Sequence, residues 1–427
     1  MLNALHRRWQ DDFWRHNAVL FGGTLAVGAV NYLYYPVLGR LLPVADFGEV
    51  QVVVSLFLQV GVLLAALNVV VVNISATQTA RPARDDLLGE LERLSLVGLG
   101  VVLLLGGLAL PALQGFLHID SPWPFVALLL AVLLSTPLVF RTAYLQGIKD
   151  FTGASLSGIA GAVTKLAASA LLVIAGFGVT GAVAGLVVAQ GLTFAVVYYR
   201  AKRRGYAPGL HLLRRRAPNL KLLAPQLRYG ALVLSVTLVT TLLYSADILV
   251  VKHYFSAAEA GLYAGVAVVA RSIFFLTASI GGVLLPSIKA ANPPGLNRQV
   301  LSRSFALLGL IGGGAALLMS LAPGRLVALL VGAKYQPEAA LLPPLAWAIL
   351  LISAVNLGLY YFLALRRWSA AVIAGLGGAA TLGLVAHSHG TMRAVIADMT
   401  WGSIIMLIML MLWGLWLHQR GGTVGEA

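Results

Sequence analysis

The sequence has no cysteine and very few charged residues. Because none of its 427 residues is cysteine, disulfide bonds and thiol chemistry are excluded. Charged residues make up only 11% of the chain, whereas a soluble domain carries about 25%. Acidic residues are especially scarce, with 15 against 30 basic ones. The low charge excludes an ordinary soluble globular protein.

Enzyme signatures are missing as well. The sequence contains neither a GxxxxGK[ST] phosphate-binding loop nor an HExxH metal motif, so it holds no ATPase of the P-loop type. Its eight histidines fall in loops or near the ends of apolar stretches, and His387 with His389 is only a weak metal signal. We therefore predict a protein that is not an enzyme and that has no cofactor and no metal.

Long apolar stretches fill the chain instead. Hydrophobic residues make up 59% of it, and the mean hydropathy is +0.88. About 20 apolar residues in a helix cross the ~30 Å hydrocarbon core of a bilayer. The sequence therefore predicts an all-α polytopic membrane protein with about 12 transmembrane helices. The predicted spans are 17–39, 46–72, 92–116, 123–145, 152–176, 179–199, 228–252, 259–286, 302–322, 338–364, 369–387 and 392–417.

The basic residues lie mainly on one side of these spans. With both termini on the same side, that side holds 23 Lys and Arg residues and the other side holds 5. The positive-inside rule then predicts that both termini are cytoplasmic. Because topology accounts for most of the net charge of +15, no nucleic-acid partner is predicted.

A basic linker divides the spans into six and six. It contains two Arg-rich clusters and three prolines, and it leaves no room for a soluble domain. Leucines and aromatic residues at helical spacing near the N-terminus fit a helix in the membrane interface, or equally a frayed tail. The predicted segments are an interfacial segment (1–16), an N-lobe (17–199), the linker (200–227), a C-lobe (228–417) and a cytoplasmic tail (418–427).

The two halves are weakly related in sequence. Asp46-Phe47-Gly48 aligns with Glu259-Ala260-Gly261, and both triplets read as the start of a helix after a short turn. Ser256 and Glu259 also have the spacing of a capping box. A six-span unit repeated in parallel predicts two six-helix lobes with a central cavity.

Two cations lie deep within predicted spans. Lys165 and Arg271 are each about 12 or 13 residues into their span, where a cation costs about 2.5–3.5 kcal/mol. The structural explanation is an ion pair with an acid, for which Asp247 is the first candidate and Asp398 the second. Neither cation recurs in the other half of the chain. This asymmetry favours an anion-binding site over a purely structural pair.

Other candidate residues have two readings each. Arg40 lies at the predicted outer mouth beside two acids, and a substrate contact and a salt bridge at the rim are equally supported. Tyr34 and Tyr244 have aromatic faces that suit sugar stacking, although an interfacial belt is the default explanation. Arg141, near the end of the fourth span, is expected to be a solvated helix end rather than a headgroup contact.

Three motifs resemble those of polysaccharide and O-antigen flippases. LGRLLPVADFGEVQ, after the first span, resembles the R-x-L-x-P-x-D-F-G turn of that family. SADILVVKHYFSAAEAGLYAGVAVVAR resembles its seventh-to-eighth-span signature, and AYLQGIKDF resembles its fourth-span exit. The family belongs to the multidrug/oligosaccharidyl-lipid/polysaccharide exporter (MOP) superfamily.

This resemblance implies a flippase that moves a polyprenyl-diphosphate-linked oligosaccharide across the bacterial inner membrane by alternating access. It implies that Arg271, Lys165 and, less directly, Arg40 bind the diphosphate. The expected partners are the lipid-linked glycan, membrane lipids and glycan polymerase or ligase machinery, with H⁺ or Na⁺ as the candidate coupling ion and a monomeric state. A multidrug-type cation antiporter and a non-sugar lipid scramblase or scaffold are the alternatives. The mainly positive deep charges disfavour both.

Overall fold

The computed structural model describes most of the chain, and every regular element in the described ranges is a helix. The described residues are 22–23, 26–78, 80–206, 220–289, 292–293, 295–388 and 390–419. The predicted interfacial segment (1–16) lies outside them, as do residues 207–219 of the predicted linker and the tail from residue 420.

The helices follow one another with short turns. Residues 26–41 form α1. The next helices are α2 (Val44–Thr77), α3 (Arg81–Leu117), α4 (Trp123–Gly147), α5 (Phe151–Leu172), α6 (Gly178–Arg203) and α7 (Leu220–Tyr254). They are followed by α8 (Ala257–Ser287), α9 (Leu296–Leu308), α10 (Gly314–Leu321), α11 (Pro323–Leu330), α12 (Leu342–Ala364), α13 (Ser369–His387) and α14 (Met392–Gln419).

The prediction of an all-α polytopic membrane protein is confirmed. Ten stretches of helix in the described residues are long and apolar enough to cross a membrane. One of them, Phe151–Arg203, contains both the fifth and the sixth predicted span, because α5 and α6 meet at a widened turn. Gly176 in that turn has φ 91°, a conformation that glycine adopts without strain.

The turn between α4 and α5 is tied to the end of α6 by one carboxylate. Asp150 caps α5 by accepting a hydrogen bond from the backbone N–H of Gly153 (3.1 Å). Arg200 donates to both carboxylate oxygens (2.7 and 3.0 Å), and Arg204 donates to one of them (3.0 Å). The Arg200 hydrogen bond holds the pKa of Asp150 below its usual value. The AYLQGIKDF motif therefore fixes a helix connection.

The helices group into two compact units. Unit 1 comprises residues 1–42 and 63–230, and unit 2 comprises residues 43–62 and 231–427. In unit 1, α6 packs against α4 and α5; in unit 2, α12 packs against α8 and α14. The first part of α2 thus belongs to the same unit as α8, whereas the predicted lobes placed it with the N-terminal spans.

Within unit 2, the helix starts that the sequence repeat aligns lie against each other. A methyl group added at Gly48 would lie 2.9 Å from the Cα of Gly261, and one added at Gly261 would lie 2.1 Å from the carbonyl oxygen of Val44. Only glycine permits this approach between α2 and α8. The capping box at the start of α8 is confirmed, since Ser256 and Glu259 each accept a hydrogen bond from the other's backbone N–H.

Candidate functional site

The deep cation of unit 1 is held by neutral groups. Lys165, on α5, is half-buried, and its Nζ donates to the amide oxygen of Asn31 on α1 (2.5 Å). The same Nζ lies 4.6 Å from the centroid of the Tyr34 ring. No carboxylate in the described part of the chain forms an ion pair with Lys165. An amide dipole and an aromatic face therefore stabilise the ammonium without neutralising it.

The aromatic ring beneath Lys165 is fixed from the other side. Tyr34 is 1% exposed, and its hydroxyl donates to the carbonyl oxygen of Ala182 on α6 (3.2 Å). The Ser169 hydroxyl on α5 donates to the same carbonyl (2.8 Å). Three helices of unit 1 therefore define the position of the ammonium.

The deep cation of unit 2 is held by an acid. Arg271, on α8, is 5% exposed, and its Nη2 lies 2.5 Å from Oδ1 of Asp247 on α7. The Tyr263 hydroxyl donates to the other carboxylate oxygen (2.8 Å). Asp247 is 2% exposed, so the ion pair is buried together with its supporting hydroxyl. This is the ion pair with Asp247 that the sequence offers as a structural explanation for a deep cation.

Arg271 also covers an aromatic ring, as Lys165 does. Its Cζ lies 5.0 Å from the centroid of the Tyr244 ring, and that ring packs against Phe274 at 4.8 Å between centroids. The two tyrosines proposed as sugar contacts, Tyr34 and Tyr244, therefore each have a cation over one face. Sugar stacking on either ring stays a prediction.

Three other charged residues have different surroundings. Arg40 lies exposed at the end of α1, and its role as a substrate contact stays a prediction. Lys252, which is 2% exposed, forms an ion pair with Glu49 (3.3 Å) inside unit 2. Asp398, the second candidate partner for a deep cation, accepts a hydrogen bond from the Ser388 hydroxyl.

Unit 1 contains a buried charge cluster that the sequence did not predict. Arg141 is 8% exposed and donates to the Glu92 carboxylate and to the carbonyl oxygen of Pro137 (2.8 Å). The Tyr206 hydroxyl donates to the second oxygen of Glu92 (3.0 Å), and burial raises the pKa of that hydroxyl well above its usual value. The expectation that Arg141 is a solvated helix end is wrong. The sequence signal that could have predicted this pair is Glu92, an acid at the same end of the third predicted span as Arg141 is of the fourth.

The structure adds no further ligand to the candidate metal site at His387 within the described residues. His387 ends α13, and His389 lies outside the described residues. Within the ranges that the structure describes, no three His, Asp or Glu residues lie close enough together to hold a metal ion.

Solved structures that share this helical arrangement are transporters and flippases. An inward-facing multidrug resistance MATE family transporter of the MOP superfamily superimposes with a TM-score of 0.72 at 15% identity, over 95% of this chain and 99% of that one. The lipid II flippase MurJ, in an inward closed conformation, gives 0.70 at 12% identity over 93% and 86%. The eukaryotic MATE transporter AtDTX14 gives 0.66 at 15% identity over 94% and 96%. At these identities the likeness establishes the fold.

The family follows from the sequence itself. The model of the polysaccharide biosynthesis protein family matches residues 13–291, which is more than half of the chain. The protein therefore belongs to the polysaccharide biosynthesis protein family. No curated protein sequence matches it significantly. This multi-pass membrane protein therefore has the fold of these transporter and flippase structures and belongs to a family named for polysaccharide biosynthesis.

Proposed function

We propose that the protein is a flippase that moves a polyprenyl-diphosphate-linked oligosaccharide, or a polysaccharide precursor, across the bacterial inner membrane by alternating access. Its family is named for polysaccharide biosynthesis, and one structure of the same fold is a flippase for lipid II. The observation that carries the proposal is Lys165, an intramembrane cation that pairs with none of the described carboxylates.

The environment of Lys165 suits a transient anionic ligand. An ammonium held by an amide and a ring face keeps its positive charge and its capacity to donate hydrogen bonds. A diphosphate supplies the negative charge that the Asn31 amide oxygen and the Tyr34 ring do not. The substrate would therefore have no carboxylate of the described residues to displace from Lys165.

Arg271 has a different role in this proposal. Its charge is already compensated by Asp247, and the carboxylate is further held by Tyr263. A buried cation that is paired in this way offers little net charge to a substrate. We therefore assign diphosphate docking to Lys165 and assign Arg271 to holding α7 and α8 together.

The proposal includes no covalent step. Translocation would be passive or coupled to H⁺ or Na⁺. The bias of basic residues supports cytoplasmic termini. Glycan polymerase or ligase machinery would act on the delivered substrate, and the flippase itself would act as a monomer.

The test is a translocation assay in proteoliposomes with a short-chain polyprenyl-diphosphate-linked sugar. We expect Lys165→Met to lower the rate about 10-fold to 100-fold, which corresponds to the loss of a charge-assisted hydrogen bond of about 1.5–3 kcal/mol. Asn31→Asp should lower it as well, because a carboxylate at that position would neutralise the ammonium. Lys165→Arg should restore part of the rate.

Lys202→Met is the matched control, since Lys202 is an exposed lysine of the same unit. Wild-type rates in both Lys165→Met and Asn31→Asp would refute docking at Lys165. In cells, deletion of the gene should cause lipid-linked oligosaccharides to accumulate, as measured by mass spectrometry. Export of a cationic drug by the purified protein, unaffected by Lys165→Met, would instead favour the multidrug antiporter.

A further inference from the structure

Unit 2 carries a groove that plays no part in the proposed translocation site. It lies between α9, α12 and α14 and has a volume of about 540 Å³. Its walls are mainly apolar, with aliphatic or aromatic residues from all three helices and glycines from α12 and α14. Among the residues that form it are Leu301, Phe305, Phe362, Leu410 and Met411. A groove of this size is large enough to hold a lipid chain or another elongated apolar ligand.

One end of the groove is cationic. Asn297, Arg298 and Ser302 line it from the first turns of α9, and Arg367 lines it just after the end of α12. No carboxylate is among the lining residues. Neither arginine forms an ion pair with a carboxylate in the described part of the chain. The groove therefore combines an apolar body with a positively charged, hydrogen-bonding end.

The length of the groove matches one leaflet of a bilayer. The part of α14 that lines it runs from Leu407 to Leu417, a rise of about 15 Å. This is half of the ~30 Å hydrocarbon core of a membrane. The cationic end lies where α9 begins and α12 ends, on the side that the charge bias predicts to be cytoplasmic.

The wall is preformed rather than created by a ligand. Leu301, Phe305, Tyr361 and Leu365 pack against a buried hydrophobic cluster. That cluster consists of Ile280, Leu284, Ile288, Leu308 and Leu357. Because these neighbours hold the wall in place, an occupant need not order it.

We propose that this groove binds an anionic phospholipid of the adjacent leaflet, with one acyl chain along α14 and the phosphate between Arg298 and Arg367. The apolar walls supply burial for the chain, and the two arginines supply charge complementarity for the headgroup. The site is independent of the molecule that the protein translocates. It gives unit 2 a preference among membrane lipids.

The test is native mass spectrometry of the purified full-length protein in detergent. Palmitoyl-oleoyl phosphatidylglycerol is compared with phosphatidylethanolamine of the same chains, and glycerol 3-phosphate serves as the free headgroup. We expect the anionic lipid to be retained preferentially. The double variant Arg298→Gln, Arg367→Gln should weaken its binding about 25-fold, since each basic residue near anionic lipid contributes about fivefold.

A second variant tests the apolar body of the groove. Gly414 lines the groove, and a methyl group there would make only ordinary contact with Phe362 at 3.7 Å. Gly414→Leu should therefore fold and fill the groove, lowering the binding of both lipids. Gly375→Leu is its control, because Gly375 is exposed on α13 with open space around it.

Arg303→Gln is the control for charge, since Arg303 is an exposed arginine of α9 that does not line the groove. Equal retention of the two lipids, or an equal loss of binding in Arg303→Gln, would overturn the proposal. So would competition by glycerol 3-phosphate at the affinity of the intact lipid. A groove covered by a second copy of the chain would appear as a dimer that Gly414→Leu dissociates, and that result would overturn it too.

Discussion

Lys165 in unit 1 and Arg271 in unit 2 each contact a tyrosine ring, but their second partners differ. Each cation lies over the face of a tyrosine, at 4.6 Å for Lys165 and 5.0 Å for Arg271. The second partner is an amide oxygen in unit 1 and a carboxylate in unit 2. The difference is one of charge: the unit 2 site is neutral as a whole, and the unit 1 site carries one positive charge.

This difference separates a structural role from a ligand-binding one. A buried ion pair holds two helices together, and removal of one partner leaves the other charge buried and uncompensated. A half-buried cation without a carboxylate contributes less to folding and remains available to an anion. Substitutions at the Arg271–Asp247 pair should therefore lower mainly the stability of the protein. Substitutions at Lys165 should lower mainly the rate of transport.

The largest effect on stability should come from Asp247→Asn. Without the carboxylate, Arg271 remains buried and uncompensated, which costs about 3–5 kcal/mol. The expected result is a marked fall in the unfolding temperature of the purified protein in detergent. The double variant Asp247→Asn, Arg271→Met should recover much of the loss, because no charge is then left alone. If the single variant is as stable as the wild type, the pair does not hold unit 2 together.

Removal of the Tyr263 or the Tyr34 hydroxyl should have intermediate effects on stability. Tyr263→Phe removes a hydrogen bond to the Asp247 carboxylate and should cost about 1.5–3 kcal/mol. Tyr34→Phe removes one to a backbone carbonyl and should cost only about 0.5–1.5 kcal/mol. Denaturant or thermal unfolding of the two variants side by side measures the difference. If Tyr34→Phe lost more stability than Tyr263→Phe, the assignment of the structural ion pair to unit 2 would be wrong.

The smallest effect on stability should come from Lys165→Met. This change loses one hydrogen bond and one ring contact, but it also removes the desolvation of an ammonium that no described carboxylate neutralises. We expect the free energy of unfolding to change by less than about 1 kcal/mol, well below the loss for Arg271→Met. The same unfolding measurement on both variants checks this. A loss in Lys165→Met that equals the loss in Arg271→Met would remove the distinction between the two sites.

Local patterns in the sequence led to correct predictions wherever the cause was local. The apolar stretches predicted the helices, and the spacing of Ser256 and Glu259 predicted a capping box that the structure contains. The repeat alignment paired Gly48 with Gly261, and these residues prove to be in contact. Arg141 was placed wrongly because its partners, Glu92 and Tyr206, come from other parts of the chain and no local pattern joins them.

The sequence by itself determined the membrane-spanning helical class, the family and the presence of two deep cations, because hydropathy and charge are properties of each residue in order. Only the tertiary structure decided which of these cations is neutralised. Asp247 is 24 residues from Arg271 in sequence, and Asn31 is 134 residues from Lys165. Helix packing brings both partners within hydrogen-bonding distance. The compensation of charge, and with it the division between a structural and a binding cation, is therefore set by which helices pack together.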